Sequence, residues 1–354
     1  MEASSKKKLW IFIAVAYGVT AIMALFMIIG LKKGYDLTCF ANAQMMYPAC
    51  GVILGKLICR KENEPLPLAG YITVLATTAV MIVVNFCSLF IHMDPLAEGV
   101  PGSDVWSMIS SLVVMGGSIV AYIFFWVCGK EKRENAGLER KNIVWSIILV
   151  IVFILLFLAR ILISTVTSDA AASTHEGVDE IRTVLSSMKT WLSVILLPIN
   201  FFFVWIAFFG EEYGWRYYLQ PIMQKKWGKR GGVLLLGLVW AVWHLGIDFM
   251  YYTTEYGLQA FVSQIITCVG IAIFFGYAYM KTQNIWVPVI MHYLNNNIAA
   301  LLNGGGADAL QNQVIPWSAI PFALLSSIVF MVFILMPIYN QSVKDPVTEN
   351  STTE

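Results

Sequence analysis

Long apolar runs separated by short polar segments dominate the hydrophobic pattern of the chain. A helix needs about 20 residues to cross a hydrocarbon layer of about 30 Å. Ten runs approach or exceed this length: 9–30, 38–58, 68–92, 106–128, 143–166, 190–210, 232–249, 259–280, 285–302 and 316–339. The run 38–58 is the weakest, because it contains the polar stretch ANAQMMYPACG. The pattern predicts an all-α fold, a polytopic transmembrane helical bundle of about 8–10 spans.

The composition supports a membrane protein. Of the 354 residues, 58% are hydrophobic and 13% are charged, whereas a soluble domain averages about 25% charged residues. A soluble core could not enclose this much apolar surface, so the lipid bilayer is the expected partner. The net charge of +1 gives no reason to expect nucleic acid.

The distribution of basic residues predicts the orientation. With a cytoplasmic N-terminus, most of the 23 lysines and arginines fall in inside segments. The outside segments then hold only Lys32, Lys33, Arg182 and Lys189. We therefore expect a multi-pass protein with an even number of spans. No retention signal is seen, which favours a bacterial plasma membrane.

Candidate chemistry begins at EEYGWR, Glu211 to Arg216, directly after a span-like run. Charges at membrane depth are costly and therefore point to function. Glu212 and Arg216 are spaced i, i+4, which suits an ion pair on one helix face. Glu211 lies about 100° around the helix and lacks that partner. We interpret Glu211 as the chemical residue, and Glu212 with Arg216 as its structural support.

Two of the four histidines, His244 and His292, lie deep in apolar runs. If the basic segment 225–230 marks the cytoplasmic surface, Glu211 and His244 each lie roughly 21 Å along their helices. His292, counted from Lys281, lies roughly 16 Å along its helix. The sequence therefore predicts that the three side chains converge on one layer of the membrane.

These residue types suit hydrolysis. Glu211 can act as general base, and His244 can help hold a water. His292 and Asn296 share a helix face and can donate hydrogen bonds to an oxyanion. Asp248 shares a face with His244 and could orient its imidazole. The set Glu211, His244 and His292 could also form a zinc shell, so zinc-dependent and metal-free mechanisms both stay open.

Three motifs, in order along the chain, resemble those of the CPBP (Abi) family, the CAAX-processing and bacteriocin-processing intramembrane proteases. EEYGWR resembles E-E-x-x-x-R, WAVWH at 240–244 resembles F-x-x-x-H, and HYLNN at 292–296 resembles H-x-x-x-N. The resemblance implies an endopeptidase for membrane-bound peptide or protein substrates, prenylated in some members. It implies water activation by Glu211 and His244, and oxyanion stabilisation by His292 and Asn296.

Two positions depart from the family pattern. Trp240 replaces a phenylalanine, and we expect this exchange of aromatic residues to matter little. Tyr217 stands where many relatives have a small residue, and we expect it to narrow the cavity and alter substrate choice. We divide the chain into motif-free transmembrane helices, a CPBP-like protease core, a final transmembrane helix and a disordered polar tail: 1–189, 190–302, 303–340 and 341–354.

Two other classes of protein are compatible with the polar cluster. A catalytically silent scaffold on the same fold would use it for packing and would regulate another membrane protein. A proton-coupled transporter would also carry buried glutamate, histidine and arginine, but it predicts internal repeats, and we find none. Arg160, alone in its span, is interpreted as a structural residue, either paired or snorkelling. The intact set Glu211, His244, His292 and Asn296 favours the endopeptidase.

Overall fold

The computed structural model describes residues 3–97, 103–303 and 309–342. It is 82% helical and has no strand in these ranges, which confirms the predicted all-α fold. Its α-helices, in chain order, are α1 (Ala3–Ile13), α2 (Thr20–Lys32), α3 (Thr38–Gln44), α4 (Tyr47–Ile58), α5 (Leu68–Phe90), α6 (Val105–Val127), α7 (Lys130–Ala136), α8 (Ile143–Ala172), α9 (Glu176–Ser186), α10 (Met188–Glu212), α11 (Gln220–Trp243), α12 (Leu245–Ile247), α13 (Gly257–Thr282), α14 (Trp286–Leu302) and α15 (Ile320–Met331). The predicted disordered tail lies, from residue 343 onward, outside the described residues.

Within the described ranges, seven helical stretches are long and apolar enough to cross a membrane: Ser4–Lys32, Leu68–Phe90, Val105–Val127, Ile143–Ala172, Met188–Trp243, Gly257–Thr282 and Trp317–Leu335. The protein is therefore an integral multi-pass membrane protein with a polytopic helical bundle.

The seven stretches differ from the ten predicted runs for local reasons. The run 38–58 forms two short helices, α3 and α4, because the chain turns in its polar stretch at Met45 and Met46. The run 285–302 becomes α14, which has 17 residues. The run 190–210 lies within the 56-residue stretch Met188–Trp243, and the run 232–249 begins within that stretch and continues beyond it.

That long stretch folds back on itself at Trp227 and Gly228. Gly228 has φ 72° and ψ 165°, a left-handed conformation that glycine adopts without steric penalty. Beyond the turn, Gly232 packs on the preceding leg: a Cβ there would lie 2.5 Å from the backbone nitrogen of Gln224. The basic segment 225–230 therefore joins two helical legs, which brings the end of α10 beside the end of α11.

The motif EEYGWR lies at the junction of α10 with a π-helical segment, Tyr213–Leu219. Such segments are frequent at functional sites. The turn between α3 and α4 packs closely on this junction. A Cβ on Gly210 would lie 2.3 Å from the carbonyl oxygen of Met45, and a Cβ on Gly214 would lie 2.3 Å from Cβ of Pro48. The two glycines therefore allow the short helices to contact the helix that carries the carboxylates.

We expect Gly210→Ala to lower the free energy of unfolding by about 1–3 kcal/mol, the usual cost of overpacking. The added methyl group would meet the backbone of Met45, which cannot rotate away as a side chain can. Thermal unfolding in detergent micelles measures the effect. Gly116→Ala in α6 is the matched control, because nothing lies within 4 Å of a Cβ there. Equal unfolding temperatures for the two variants would contradict the close contact.

Candidate functional site

A cavity of about 1060 Å³ lies between α8, α10, α11, α13 and α14. Its wall includes all four catalytic residues predicted from the sequence: Glu211, His244, His292 and Asn296. These residues come from segments that are far apart in the chain. The packing of α10 against α14 and of α11 against α13 brings them to one space.

Glu211, in the last turn of α10, is only 2% exposed. Nε1 of Trp240 donates a hydrogen bond to its Oε2 at 2.7 Å. This contact fixes one carboxylate oxygen and leaves Oε1 as the second acceptor. A phenylalanine could not make this hydrogen bond. The expectation that tryptophan in place of phenylalanine matters little therefore overlooked a direct contact with Glu211.

His244 follows the last residue of α11. Its Nδ1 lies 2.9 Å from the carbonyl oxygen of Trp240. Because a carbonyl can only accept, Nδ1 carries the proton, and Nε2 of the neutral ring is free to accept a hydrogen bond. Asp248, the partner considered from the sequence, does not take this place. Both of its buried carboxylate oxygens lack a hydrogen-bond partner within the described part of the chain.

His292, on α14, binds the second carboxylate of the motif. Its Nδ1 donates to Oε1 of Glu212 at 2.9 Å, since a carboxylate accepts. Oε2 of Glu212 lies 3.1 Å from Nε of Arg216. The two atoms are close enough for an ion pair, but they are not aligned for a hydrogen bond. The expected i, i+4 pair is therefore present, and it carries an additional role: Glu212 connects Arg216 to the imidazole of His292.

Arg216 is fully buried and contacts aromatic rings. Its Cζ lies 4.5 Å from the ring centroid of Trp240 and 5.4 Å from that of Phe275. Such cation–π contacts stabilise a guanidinium that is withdrawn from water. The ring of Trp240 also lies 5.9 Å from that of His244 and 5.6 Å from that of His292. Trp240 therefore contacts Glu211, Arg216, His244 and His292.

Asn296 lies about one turn beyond His292 on α14 and faces the same cavity. Its Oδ1 accepts a hydrogen bond from Nδ2 of Asn295 at 3.0 Å. The amide oxygen is thereby occupied. The amide nitrogen is the group that can donate to a molecule in the cavity.

Tyr217 does not lie on the cavity wall. Its ring stacks on that of Tyr213 with centroids 4.6 Å apart, and it fills the space beside Gly137. The hydroxyl lies 3.5 Å from the carbonyl oxygen of Asn135. The expectation that Tyr217 narrows the cavity is therefore wrong. Its ring instead packs the π-helical segment against the loop after α7.

The side chains that the structure describes contain no group of three or more histidine, cysteine, aspartate or glutamate residues arranged to hold a metal ion. The zinc shell considered from the sequence, made of Glu211, His244 and His292, is not assembled in this arrangement. Each of the three already uses one polar atom in a contact with the protein.

The fold and the cavity define the class: a polytopic membrane protein whose buried glutamate and two histidines line one cavity. Residues 191–298 match the family model of the Rce1-like type II CAAX prenyl endopeptidases. No curated protein and no solved structure matches the chain. The match covers all three motifs and confirms the resemblance to the CAAX-processing proteases. Residues 191–298 are thus similar to this family, and the match supports a membrane protease of the CAAX type.

Proposed function

We propose that the protein is an intramembrane endopeptidase that hydrolyses peptide bonds in membrane-associated or lipidated peptides and proteins. The observation that carries this proposal is the meeting of Glu211, His244, His292 and Asn296 on the wall of one cavity. A general base, a water-holding imidazole and two hydrogen-bond donors are the parts that peptide hydrolysis needs.

In the proposed mechanism, Glu211 removes a proton from a water molecule. Trp240 holds Oε2 of its carboxylate, so Oε1 is available to take that proton. His244 accepts a hydrogen bond from the same water at Nε2, because its Nδ1 is engaged by the carbonyl of Trp240. The water oxygen bonds to the carbonyl carbon of the substrate. As the C–N bond breaks, Glu211 returns the proton to the leaving amine.

His292 and Asn296 bind the oxygen that becomes negative when water adds. Glu212 accepts from Nδ1 of His292, so a protonated His292 presents its second N–H, at Nε2, to the cavity. The amide nitrogen of Asn296 supplies the other donor. Hydrogen bonds from preorganised donors stabilise such an oxyanion, and a charged donor strengthens them. Glu212 and Arg216 act through His292 and are positioning residues.

Trp240→Phe tests the hydrogen bond from the Trp240 indole to Glu211. The variant keeps an aromatic ring, and the family motif carries phenylalanine here, so the protein should fold and still cleave. Because Glu211 loses its hydrogen bond, we expect kcat/KM to fall roughly tenfold, the value of about one charge-assisted hydrogen bond. The measurement is cleavage of a membrane-tethered peptide by purified protein in lipid vesicles.

Trp191→Phe is the control, because Trp191 is exposed at the start of α10 and donates only to the carbonyl of Leu185. It should cleave at the wild-type rate. Wild-type kinetics for Trp240→Phe would refute the assigned role of the indole. A folded wild type that cleaves no tethered peptide would refute the protease proposal itself. Repeating the wild-type assay with a metal chelator tests the zinc-dependent alternative.

A further inference from the structure

A second cavity, which we call the lateral cavity, has about 1020 Å³ and lies between α6, α8, α10 and α14. No described residue lines both this cavity and the one that contains Glu211. Its wall is mainly apolar, and Trp126, Ile147 and Ile151 on that wall are each about half exposed. Because these residues belong to membrane-spanning helices, the lateral cavity opens toward the lipid.

One end of the lateral cavity is basic. Three of its lining residues lie in the segment that joins the spans of α6 and α8: Lys130, Arg133 and Arg140. A short segment between two consecutive spans lies at a membrane surface, at the level of the lipid headgroups. The basic end therefore lies where phosphate groups are concentrated, and the apolar wall extends from it toward the membrane interior.

Arg133 and Arg140 have no carboxylate within ion-pair distance in the described part of the chain. Two other charged residues of this wall are paired within the protein: Lys130 with Glu134, and Glu139 with Lys141. Nη1 of Arg133 donates to the carbonyl oxygen of Trp126 at 2.7 Å, and Cζ of Arg140 lies 4.5 Å from the ring centroid of Trp126. These contacts hold both guanidinium groups beside one tryptophan and leave most of their N–H donors for an anion.

The apolar wall has the length of an acyl chain. Ile143, Ile147 and Ile151 are spaced i, i+4 on α8 and extend roughly 12 Å along the helix. One leaflet contributes about 15 Å of hydrocarbon, half of the thickness of the bilayer core. The buried rings of Phe125 and Trp205 close the cavity on the protein side. The lateral cavity therefore matches a molecule with a negative headgroup and a hydrocarbon chain that lies in one leaflet.

We propose that the lateral cavity binds an anionic phospholipid, with the phosphate at Arg133 and Arg140 and an acyl chain along α8. Guanidinium groups bind phosphate through charge-assisted hydrogen bonds, and basic pockets between membrane helices bind anionic headgroups. A zwitterionic phospholipid binds less well, because its own cation lies beside the same arginines. This site is separate from the cavity of Glu211 and does not depend on the proposed protease activity.

The test compares two phospholipids with identical acyl chains, the anionic phosphatidylglycerol and the zwitterionic phosphatidylcholine. Their Kd values for the full-length protein are measured in detergent micelles, with inorganic phosphate as a competitor. The same measurements are made on Arg133→Gln combined with Arg140→Gln. Lys6→Gln with Lys7→Gln is the matched control, because it removes two positive charges from exposed positions of α1 that line neither cavity.

Phosphatidylglycerol should bind the wild type roughly 10- to 100-fold more tightly than phosphatidylcholine, as expected for hydrogen bonds between charged groups. The arginine variant should lose this preference, and the lysine control should keep it. Equal binding of the two lipids, or a preference that survives in the arginine variant, would overturn the proposal. Displacement of phosphatidylglycerol by an equal concentration of inorganic phosphate would assign the arginines to a free anion and would also overturn it.

Ile147→Trp tests the position of the acyl chain. The larger side chain should fill part of the lateral cavity from its half-exposed position. Binding of phosphatidylglycerol should then weaken roughly tenfold, the value of about two methylene contacts. Ile148→Trp is the control, because Ile148 is exposed on the same helix and lines neither cavity. Wild-type binding by Ile147→Trp would overturn the placement of the chain.

Thermal unfolding without added lipid verifies that each variant is folded. Cleavage of a tethered peptide is measured in parallel and separates the two proposals. Selective binding of phosphatidylglycerol by a folded protein that cleaves no peptide would reject the protease and support the lipid site. Cleavage by a protein that binds both lipids equally would reject the lipid site and support the protease.

Discussion

Replacing Glu211 by glutamine is expected to lower kcat/KM for a membrane-tethered peptide roughly a thousandfold or more. Glutamine has the shape of glutamate, and its amide oxygen can still accept the hydrogen bond from Trp240. It cannot take a proton from water, so the loss should appear in kcat and not in peptide binding. Initial rates at several peptide concentrations, measured in lipid vesicles, give both parameters.

The matched control is Glu180→Gln on helix α9, which makes the same chemical change at an exposed position that does not line the cavity. It should cleave at the wild-type rate. A Glu211→Gln variant that retains activity within about tenfold of the wild type would show that another group removes the proton, since loss of a general base costs at least about 100-fold.

The second large effect is expected from Arg216→Met. Removing the guanidinium leaves the carboxylate of Glu212 buried with only the imidazole of His292 as partner. Breaking a buried ion pair by removing one partner destabilises a protein by about 3–5 kcal/mol. Methionine fills much of the same space between Trp240 and Phe275, so most of the loss should come from the charge. Thermal unfolding in detergent measures it.

A double variant separates charge from packing. Glu212→Gln combined with Arg216→Met removes both charges, so it should recover a large part of the lost stability. It should not recover cleavage, because His292 loses its carboxylate partner. Arg182→Met on the exposed α9 is the control for arginine removal and should unfold like the wild type. A double variant less stable than Arg216→Met would contradict the ion pair as the source of the effect.

Local spacing was enough to predict part of the site. The i, i+4 interval placed Glu212 beside Arg216, and the helical rise predicted the shared depth of Glu211 and His244. The first prediction depends only on spacing within one helix. The second depends on two helical segments joined by the basic segment 225–230, which is recognisable in the sequence. The lengths of the apolar runs were nearly enough to predict the all-α fold. A segment that crosses a membrane must pair its backbone N–H and C=O groups within itself, and a helix does so.

Contacts between distant segments could not be predicted from spacing. The hydrogen bond from Trp240 to Glu211 joins residues 29 apart, and it depends on the reversal at Gly228. The contact from His292 to Glu212 joins residues 80 apart, and Arg160 meets Thr267 across 107 positions. The one available signal was chemical: a tryptophan in the motif brings an N–H donor where phenylalanine has none.

The span count was the weakest prediction, because run length does not reveal where a helix breaks. The polar stretch around Met45 and Pro48 divides one run into two short helices, and the reversal at Trp227 and Gly228 folds two helical legs back on each other. Both irregularities lie beside the site. The turn between α3 and α4 contacts the helix at Gly210 and Gly214, and the fold-back delivers Trp240 to Glu211. The departures from regular spans are therefore what assembles the cavity.

The central claim is that Glu211 directs water to a peptide bond, and mass spectrometry of the products tests it most directly. Purified wild type and Glu211→Gln are incubated in lipid vesicles with a tethered free-acid peptide, in ordinary water and in heavy-oxygen water. We predict that the wild type produces two fragments whose masses add up to the peptide plus one water, with the heavy oxygen in the newly formed carboxylate. Glu211→Gln should leave the peptide intact. An intact peptide with folded wild type, or the same labelled fragments from Glu211→Gln, would contradict the claim.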